Sequence, residues 1–435
     1  MHYWNPSNLA ILACPGAEAF ADQVTFHLKN HYRRIFDKAA SDMSRRYNLS
    51  VEETTRKINF IDEVTRPGGY CHAEDLKLHV PKFKTPARFS MFANGEFKCE
   101  IMNSVRGKDL FIFQDVENHC PVKINDGSET RVFSVNDHLM ALYVTIDAAV
   151  QSSAEQITVV IPVYPYSRQH KRKGREGLTA SRVGHILEML GVKRIITLDI
   201  HSRELTNSFN KIKFENLHAS YQIIKALFNL MPSPGDLDDF VILSPDTGAV
   251  DRNKFYATAL KKPLALLYKE RDYSHISKNA DENNISVMKL LGSVRDKKVF
   301  MADDMLGTGG TLIKAMKFLK KEEAGKVIAA VSLPLFSGDA IKYFDEAYQN
   351  GLFYRIIGTN AVTHDELLKR EWYVNVNVSK LFAQIISRLH QKLSLSLLLD
   401  NREIIIKSLS AKEQAIYSGK QGDLFTAPSP AKKTD

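Results

Sequence analysis

The chain has 435 residues, of which 44% are hydrophobic, so its length suggests two or three globular domains and its composition does not limit the core. Its formal charge of +9 comes from 59 Lys and Arg against 50 Asp and Glu, a balance that fits either nucleic acid or phosphorylated metabolites. The cations are dispersed apart from a dense cluster at residues 168–175, and no RNP-like aromatic motif or zinc finger accompanies them. We therefore predict no nucleic-acid partner.

The sequence contains neither an apolar run that could cross a bilayer nor the charged and apolar pattern of a signal peptide. We predict a cytoplasmic protein without a membrane partner. Its four cysteines form no CxxC pair and have no His or Cys partners at zinc spacing, so we expect reduced thiols. These residues are Cys14, Cys71, Cys99 and Cys120.

Taken in chain order, a short strand at residues 9–13 and a helix at 18–29 form a first β-α unit, and residues 31–60 form an inserted polar helical segment. From about residue 110, apolar runs alternate with amphipathic helices. The predicted strands are 110–114, 157–162, 194–199, 240–244, 264–268, 298–302, 327–333 and 355–359. The predicted helices are 138–152, 179–190, 220–230, 311–321 and 379–395. The alternation predicts an α/β fold with parallel sheets, whose ligands collect at the carboxyl ends of the strands.

A strand, a glycine-rich loop and a helix follow one another in Lys298-Val-Phe-Met-Ala-Asp-Asp-Met-Leu-Gly-Thr-Gly-Gly-Thr311. We expect the two carboxylates to end the strand and to bind vicinal sugar hydroxyls, directly or through Mg²⁺. Glycines let successive backbone amides turn inward, and the helix start adds partial positive charge for a phosphate. No Gly-Lys-Ser/Thr follows, which excludes Walker A. The predicted ligand-binding residues are Asp303, Asp304, Gly307, Thr308, Gly309, Gly310 and Thr311.

This loop resembles the phosphoribosyl loop of type I phosphoribosyltransferases and of the PRPP synthetase (ribose-phosphate diphosphokinase) family. Further segments resemble PRPP synthetase in the same order, from about residue 90 to residue 397, with a weaker match at 9–29. These are Asn94-Gly-Glu96, Ser104-Val-Arg-Gly-Lys-Asp109, Tyr166-Ser-Arg-Gln169, Leu198-Asp-Ile-His201, Ser244-Pro-Asp-Thr-Gly248 and Leu266-Leu-Tyr-Lys-Glu-Arg271.

The resemblance implies two phosphoribosyltransferase-like domains, each a mainly parallel sheet flanked by helices. We place the first at residues 1–212 and the second at 213–400, with a polar tail at 401–435 that we expect to be disordered. It also implies Mg²⁺-dependent transfer of diphosphate from ATP to the anomeric hydroxyl of ribose 5-phosphate. A homo-oligomer, a hexamer in this family, is implied as well.

Some candidate site residues can also be interpreted from their side-chain chemistry alone. Arg168 can give a forked contact to phosphate oxygens, although a basic surface loop explains it equally well, and His201 alone is more often structural. The resemblance assigns Lys269 and Arg271 as the catalytic pair that stabilises charge on the diphosphate. It assigns His201 and Asp246 to Mg²⁺. For ATP it implies Phe92, Asn94, Glu96, Arg168, Gln169 and His201.

The chain departs from the family pattern in four places. Gly307 and Asn94 each replace an aspartate, His170 replaces an acidic residue, and a histidine is missing before Ser337-Gly338. Arg106 and Asp109 are assigned a structural or interface role. These departures could weaken sugar binding, change the nucleotide preference or alter regulation. A second hypothesis is a non-catalytic regulatory relative that assembles with the active enzyme, and loss of the catalytic cations would support it.

Overall fold

The computed structural model describes residues 8–65, 82–172, 174–231, 238–271, 286–362, 364–400 and 405. These residues form two compact units. The first contains the described residues up to Thr197, together with Ser202–Glu215 and Ser379–Leu395. The second contains Leu198–His201, Asn216–Val378 and the described residues from Ser396 onward.

Up to residue 217 the elements in chain order are β1 (Leu9–Ala13), α1 (Glu18–Tyr47), α2 (Val51–Thr65), β2 (Ala87–Met91), β3 (Phe97–Ile101), β4 (Asp109–Phe113), β5 (Val122–Ile124), β6 (Glu129–Arg131), α3 (Val135–Gln151), β7 (Gln156–Val160), α4 (Thr179–Met189), β8 (Arg194–Leu198) and β9 (Lys213–Leu217). The following elements are α5 (Ser220–Leu230), β10 (Phe240–Ser244), α6 (Val250–Leu260), β11 (Leu264–Arg271), β12 (Ser286–Leu291), β13 (Lys298–Leu306), α7 (Gly310–Lys321), β14 (Val327–Pro334), α8 (Ala340–Gln349), β15 (Arg355–Thr359), β16 (Tyr373–Val376), α9 (Ser379–His390) and α10 (Ser396–Leu399).

One sheet has the strand order β1-β4-β7-β8-β9, with parallel pairing from β1 through to β8. The central strands β4 and β7 are buried along four of their five residues, which is typical of strands that are covered on both faces. A second sheet has the order β12-β11-β10-β13-β14-β15-β16 and is parallel except for the pairing of β11 with β12. The predicted α/β fold class is confirmed.

Every predicted strand is present, and several boundaries differ by one residue or more. The larger corrections are β11, which continues past Tyr268 to Arg271, and β13, which continues past Ala302 to Leu306. β13 is longer because its last residues still pair with β14, where Leu306 lies opposite Pro334. The helix predicted at 138–152 begins earlier, since Ser134 caps it through the backbone amide of Asp137.

The first long helix differs most from the prediction. α1 runs without a break from Glu18 to Tyr47, so the polar segment predicted to begin at residue 31 is a continuation of that helix. It ends where Asn48 adopts a left-handed backbone conformation with φ 53°, as asparagine does readily after a helix. α2 then completes the helical segment. Nothing in the sequence pattern marked residue 31 as a start, because the apolar stripe simply thins along α1.

Helix α9 follows the second unit in the chain but packs in the first unit, which differs from the predicted division at residues 212 and 213. The physical reason is its apolar face, from which Phe382 meets Phe20 of α1 edge to face with ring centroids 5.1 Å apart. His390, near the end of α9, bonds through Nδ1 to Oδ2 of Asp109 at 2.9 Å. Asp109 thus joins the start of β4 to α9 within the first unit.

Two small hairpins, β2–β3 and β5–β6, complete the first unit and were not predicted. Cys14, Cys99 and Cys120 are free thiols, and Cys71 lies outside the described residues. In the described ranges, no helix combines the length and the apolar character needed to span a membrane.

Candidate active site

The predicted phosphate loop joins β13 to α7. Gly309 has φ 75°, a left-handed conformation, and a Cβ there would lie 2.3 Å from Cε2 of Phe344. Both the backbone and the neighbouring ring therefore require glycine. At Gly310, the first residue of α7, a Cβ would meet no atom within 4 Å. Gly310 is also exposed, so the start of α7 is accessible at this residue, as a phosphate site requires.

The two adjacent carboxylates do not end the strand as predicted. Asp303 and Asp304 both lie within β13, and their carboxylates interact with each other. Asp304 is buried with 6% of its surface exposed, and its backbone amide donates to Oδ1 of Asp303 at 2.9 Å. Asp304 is thus buried, while Asp303 is partly exposed.

Their electrostatic environments differ accordingly. Burial raises the pKa of Asp303 to about 8, and the negative charges of Asp304 and Asp246 act in the same direction. Burial also disfavours ionised Asp304, but hydrogen bonding from His201 and the charge of Arg252 outweigh it and lower the pKa of Asp304. The pair therefore carries less than two full negative charges near neutral pH.

His201 contacts the second of these carboxylates. Its Nδ1 lies 2.6 Å from Oδ2 of Asp304, and its side chain is 36% exposed against 9% for that of Asp304. A carboxylate at Nδ1 favours the tautomer that carries its proton there, which orients the ring and makes Nε2 the basic nitrogen. This arrangement suits a histidine that contacts phosphate or a metal ion.

A buried charge network that the sequence did not reveal lies behind this pair. The carboxylate of Asp199 accepts hydrogen bonds from Nδ1 of His218 at 2.8 Å, from Oγ of Ser332 at 2.6 Å and from the backbone amide of Ala219 at 3.0 Å. It also pairs with Arg252 at 3.2 Å. Burial disfavours ionised Asp199, but Arg252 and then His218 and Ser332 hold its pKa well below its usual range. Asp199 has φ 41°, so its backbone is held in a left-handed conformation.

Arg252 connects the two acidic positions. It is largely buried, which lowers the pKa of a guanidinium, but the negative charges of Asp199 and then Asp304 outweigh that effect and raise the pKa of Arg252. One permanent cation therefore offsets acids from two segments of the second unit. The only sequence signal was the position of Arg252, in the first turn of α6 just after Ser244-Pro-Asp-Thr-Gly248.

Asp246, the other predicted metal ligand, follows β10 and is partly exposed. Its Oδ1 accepts a hydrogen bond from the amide of Ala249 at 2.9 Å. No group of three or more His, Cys, Asp or Glu that could hold a metal occurs among the residues that the structure describes. The chemistry still fits Mg²⁺, which needs only one or two protein carboxylates when phosphates and water supply its other ligands. Burial raises the pKa of Asp303 and the negative charges of Asp304 and Asp246 add to that shift, so a cation bound beside these carboxylates would favour the ionised form of Asp303.

For the predicted catalytic pair, the structure describes the backbone but not the side chains. Lys269 and Arg271 lie at the end of β11, opposite Met288 and Ser286 of the antiparallel strand β12. The side chains of both cations lie outside the described part of the chain, as do residues 272–285. Their catalytic role stays a prediction.

In the first unit, Arg168 and Gln169 are exposed on the turn after Tyr164. The turn is closed by the amide of Gln169, which donates to the carbonyl of Tyr166 at 2.7 Å, and Tyr166 has φ 55°. A carboxylate that the sequence did not single out lies near: burial raises the pKa of Glu117, and the positive charges of His119 and Arg168 oppose that shift. Glu117 is thus a carboxyl group within electrostatic reach of the Arg168 guanidinium.

The hairpin β2–β3 carries the other predicted nucleotide residues at its tip. Phe92 is 52% exposed, and Asn94 and Glu96 are exposed as well. The amide of Phe92 donates to the carbonyl of Glu96 at 2.8 Å, and the Asn94 side chain accepts from the Glu96 amide at 3.1 Å. Asn94 therefore shapes the turn, a task that the short polar side chain of asparagine performs as well as that of aspartate.

Comparisons with known proteins agree on one family. A family model described as the N-terminal domain of ribose phosphate pyrophosphokinase matches residues 73–191, and one for the phosphoribosyl transferase domain matches residues 210–365. Ribose-phosphate pyrophosphokinase A of Dictyostelium discoideum is 35% identical over 326 residues, which cover 74% of this chain and 92% of the relative. Ribose-phosphate pyrophosphokinase of Mycoplasma genitalium is 34% identical over 306 residues, 70% of this chain and 84% of the relative.

Among solved structures, phosphoribosylpyrophosphate synthetase from Mycobacterium smegmatis matches with a TM-score of 0.63 and 23% identity, covering 88% of this chain and 99% of that one. This likeness supports the fold. The sequence identity to the curated relatives, over most of their length, shows the family. The chain belongs to the ribose-phosphate pyrophosphokinase family.

Proposed function

We propose that the protein transfers the diphosphate group of ATP to the anomeric hydroxyl of ribose 5-phosphate, giving PRPP and AMP. The observation that carries this proposal is the second unit's constellation of an open helix start at Gly310 beside the Asp303–Asp304 pair. A helix start binds phosphate, and adjacent carboxylates bind sugar hydroxyls, so a phosphorylated ribose fits both at once. The family membership of the chain supplies the reaction class.

The chemistry balances without a covalent intermediate. The anomeric oxygen attacks the β-phosphorus of ATP, the bond from that phosphorus to the oxygen bridging the α-phosphate breaks, and the hydroxyl proton passes to solvent. AMP leaves with the bridging oxygen. Such a transfer depends on positioning and on charge stabilisation.

Each site residue has a role in this proposal. Gly309, Gly310 and Thr311 hold the 5-phosphate, while Asp303 and Asp304 orient the ribose hydroxyls. Arg168, Gln169 and His201 bind the ATP phosphates, and Lys269 and Arg271 neutralise the charge on the transferring group. The adenine base lies against Phe92, Asn94 and Glu96. Mg²⁺ bound to ATP, with Asp246 and His201 as its protein contacts, would neutralise phosphate charge.

A non-catalytic subunit that regulates an active relative is the second hypothesis. Loss of the catalytic cations would favour it, yet the sequence retains Lys269 and Arg271 along with His201, Asp246 and both loop aspartates. No observation supports the regulatory role. The homo-oligomer, its hexameric size and the cytoplasmic location stay predictions.

The deciding experiment incubates the purified protein with ATP, Mg²⁺ and ribose 5-phosphate and measures AMP and PRPP. We expect both products in equal amounts, and we expect Lys269→Ala to reduce kcat by at least about a hundredfold, since it removes a charge needed in the transition state. Lys321→Ala is the matched control, because Lys321 is an exposed lysine at the end of α7. A wild-type protein that forms neither product would contradict the proposal and favour the regulatory hypothesis.

A further inference from the structure

The β2–β3 hairpin needs an external support to hold its tip in place. It forms a sheet of only two strands, and such a ribbon is marginally stable alone in water. Its tip at residues 92–96 is exposed throughout, and Gly95 there has φ 89°. The position of Phe92 and its neighbours therefore depends on what contacts the base of the tip.

Asn125 provides that contact at Met91, the last residue of β2. Its side-chain oxygen accepts from the Met91 amide at 2.9 Å, and its Nδ2 donates to the Met91 carbonyl at 3.3 Å. The side chain of Asn125 thus bonds both the amide and the carbonyl of Met91, which lie on the edge of β2 that faces away from β3. A neighbouring strand would bond them in the same way. Met91 directly precedes Phe92 in the chain.

Asn125 is itself held in place. Its Nδ2 also donates to Oε2 of Glu129 at 2.8 Å, which fixes which end of the amide meets which group of Met91. Its backbone is left-handed with φ 54°, followed by Asp126 at 55° and Gly127 at 83°. Asparagine is one of the few residues that adopt this conformation at low cost. The turn between β5 and β6 therefore presents the amide in one orientation.

The surrounding contacts place the turn against the hairpin. Nε of Arg88 in β2 pairs with Oδ1 of Asp126 at 3.0 Å. Beneath the turn, a small apolar cluster of Val122, Ile124 and Phe133 packs against Met91 and Phe97. The rings of Phe97 and Phe133 meet edge to face with centroids 6.0 Å apart.

We infer that Asn125 is a positioning residue for the nucleotide base. Through its two hydrogen bonds to the Met91 backbone, it fixes the direction in which the tip carries Phe92, Asn94 and Glu96. The inference rests on the proposed function, since it takes the tip as the base-binding element. It gives the β5–β6 turn a part in nucleotide recognition that acts through the backbone of Met91.

The test uses Asn125→Gly in the 435-residue chain, because glycine keeps the left-handed backbone and removes the side chain that carries the amide. Ser128→Ala is the matched control. It removes a hydroxyl of the same turn that donates to the carbonyl of Asn125 at 2.7 Å, but it leaves the two hydrogen bonds between Asn125 and Met91 intact. Initial rates of PRPP formation would be measured against ATP and, separately, against ribose 5-phosphate.

We expect Asn125→Gly to raise KM for ATP about tenfold while kcat and KM for ribose 5-phosphate stay within about twofold, with Ser128→Ala close to wild type. An unchanged KM for ATP would overturn the inference. So would an equal loss toward both substrates together with a lowered melting temperature, which would reveal a purely structural role. If the wild-type protein forms no PRPP, the proposed function itself fails, and the two failures are thereby distinguished.

Discussion

The carboxylate network of the second unit and the basic turn of the first unit are built in opposite ways. Asp199 is 4% exposed and accepts bonds from three donors besides its pairing with Arg252, whereas Arg168 and Gln169 project from an exposed turn. A buried, fully bonded group is already oriented before any ligand binds, and an exposed one loses side-chain freedom on binding. In the proposed reaction, the sugar would meet a preformed site and ATP a site that orders around it.

The variant with the largest expected effect, Asp199→Ala, tests how much the buried charge network stabilises the second unit. Asp199→Ala leaves Arg252 with less compensation in a largely buried position, so we expect the free energy of unfolding to fall by about 3–5 kcal/mol. Urea denaturation followed by circular dichroism would measure it. The control is Asp251→Ala, an exposed acid in the same first turn of α6, which should cost no more than about 1 kcal/mol. Equal losses in the two variants would show that the network adds nothing to stability.

The next effect tests whether the phosphate loop is as rigid as its packing indicates. Gly309→Ala forces a Cβ against Phe344 in a left-handed backbone, so we expect a loss of about 1–3 kcal/mol in stability and weaker binding of ribose 5-phosphate. Gly310→Ala, one residue on, meets open space and should unfold like wild type. Thermal unfolding and calorimetric titration with ribose 5-phosphate would measure the two quantities. If Gly309→Ala were as stable as Gly310→Ala, the loop would be adaptable, and the contrast between the two regions would weaken.

The smallest effect concerns the basic turn. Arg168→Lys keeps the charge but removes the forked donor geometry, so we expect KM for ATP to rise about tenfold without a change in the midpoint of thermal unfolding. Arg172→Lys is the control, an exposed arginine in the same basic cluster. Steady-state rates at varied ATP would decide. A lower unfolding midpoint in Arg168→Lys would mean that the turn is held together by this side chain, as the second unit is by Asp199.

The sequence predicted the parts of the fold that local pattern controls. Both Phe240–Ser244 and Arg355–Thr359 were predicted to the residue, because each is a short apolar run with turn signals on both sides. The hairpins β2–β3 and β5–β6 were missed, since β5 and β6 have only three residues each and most residues of β2 and β3 are half-buried or exposed. The residues Asn125, Asp126 and Gly127 are typical of a turn, but the local sequence does not indicate that this turn contacts Met91.

The candidate site was predicted in part for the same reason. The glycine loop is a contiguous motif, so its residues could be named from the sequence. Arg252 and Ser332 reach Asp199 from distant segments, and such contacts depend on how the strands are ordered in the sheet. The carboxylates Asp303 and Asp304 were placed at the strand end because the fall in hydrophobicity there resembles an end, whereas backbone pairing with β14 carries the strand onward.

The return of α9 to the first unit has a consequence for synthesis of the chain. Phe20 of α1 leaves the ribosome well before its partner Phe382, which follows only after the whole of Asn216–Val378. Until then the apolar stripe of α1 lacks its cover and is open to wrong partners. A fragment that stops at residue 212 would keep that stripe bare permanently. An expression fragment of the first unit should therefore carry α9 on a linker, joined after residue 215.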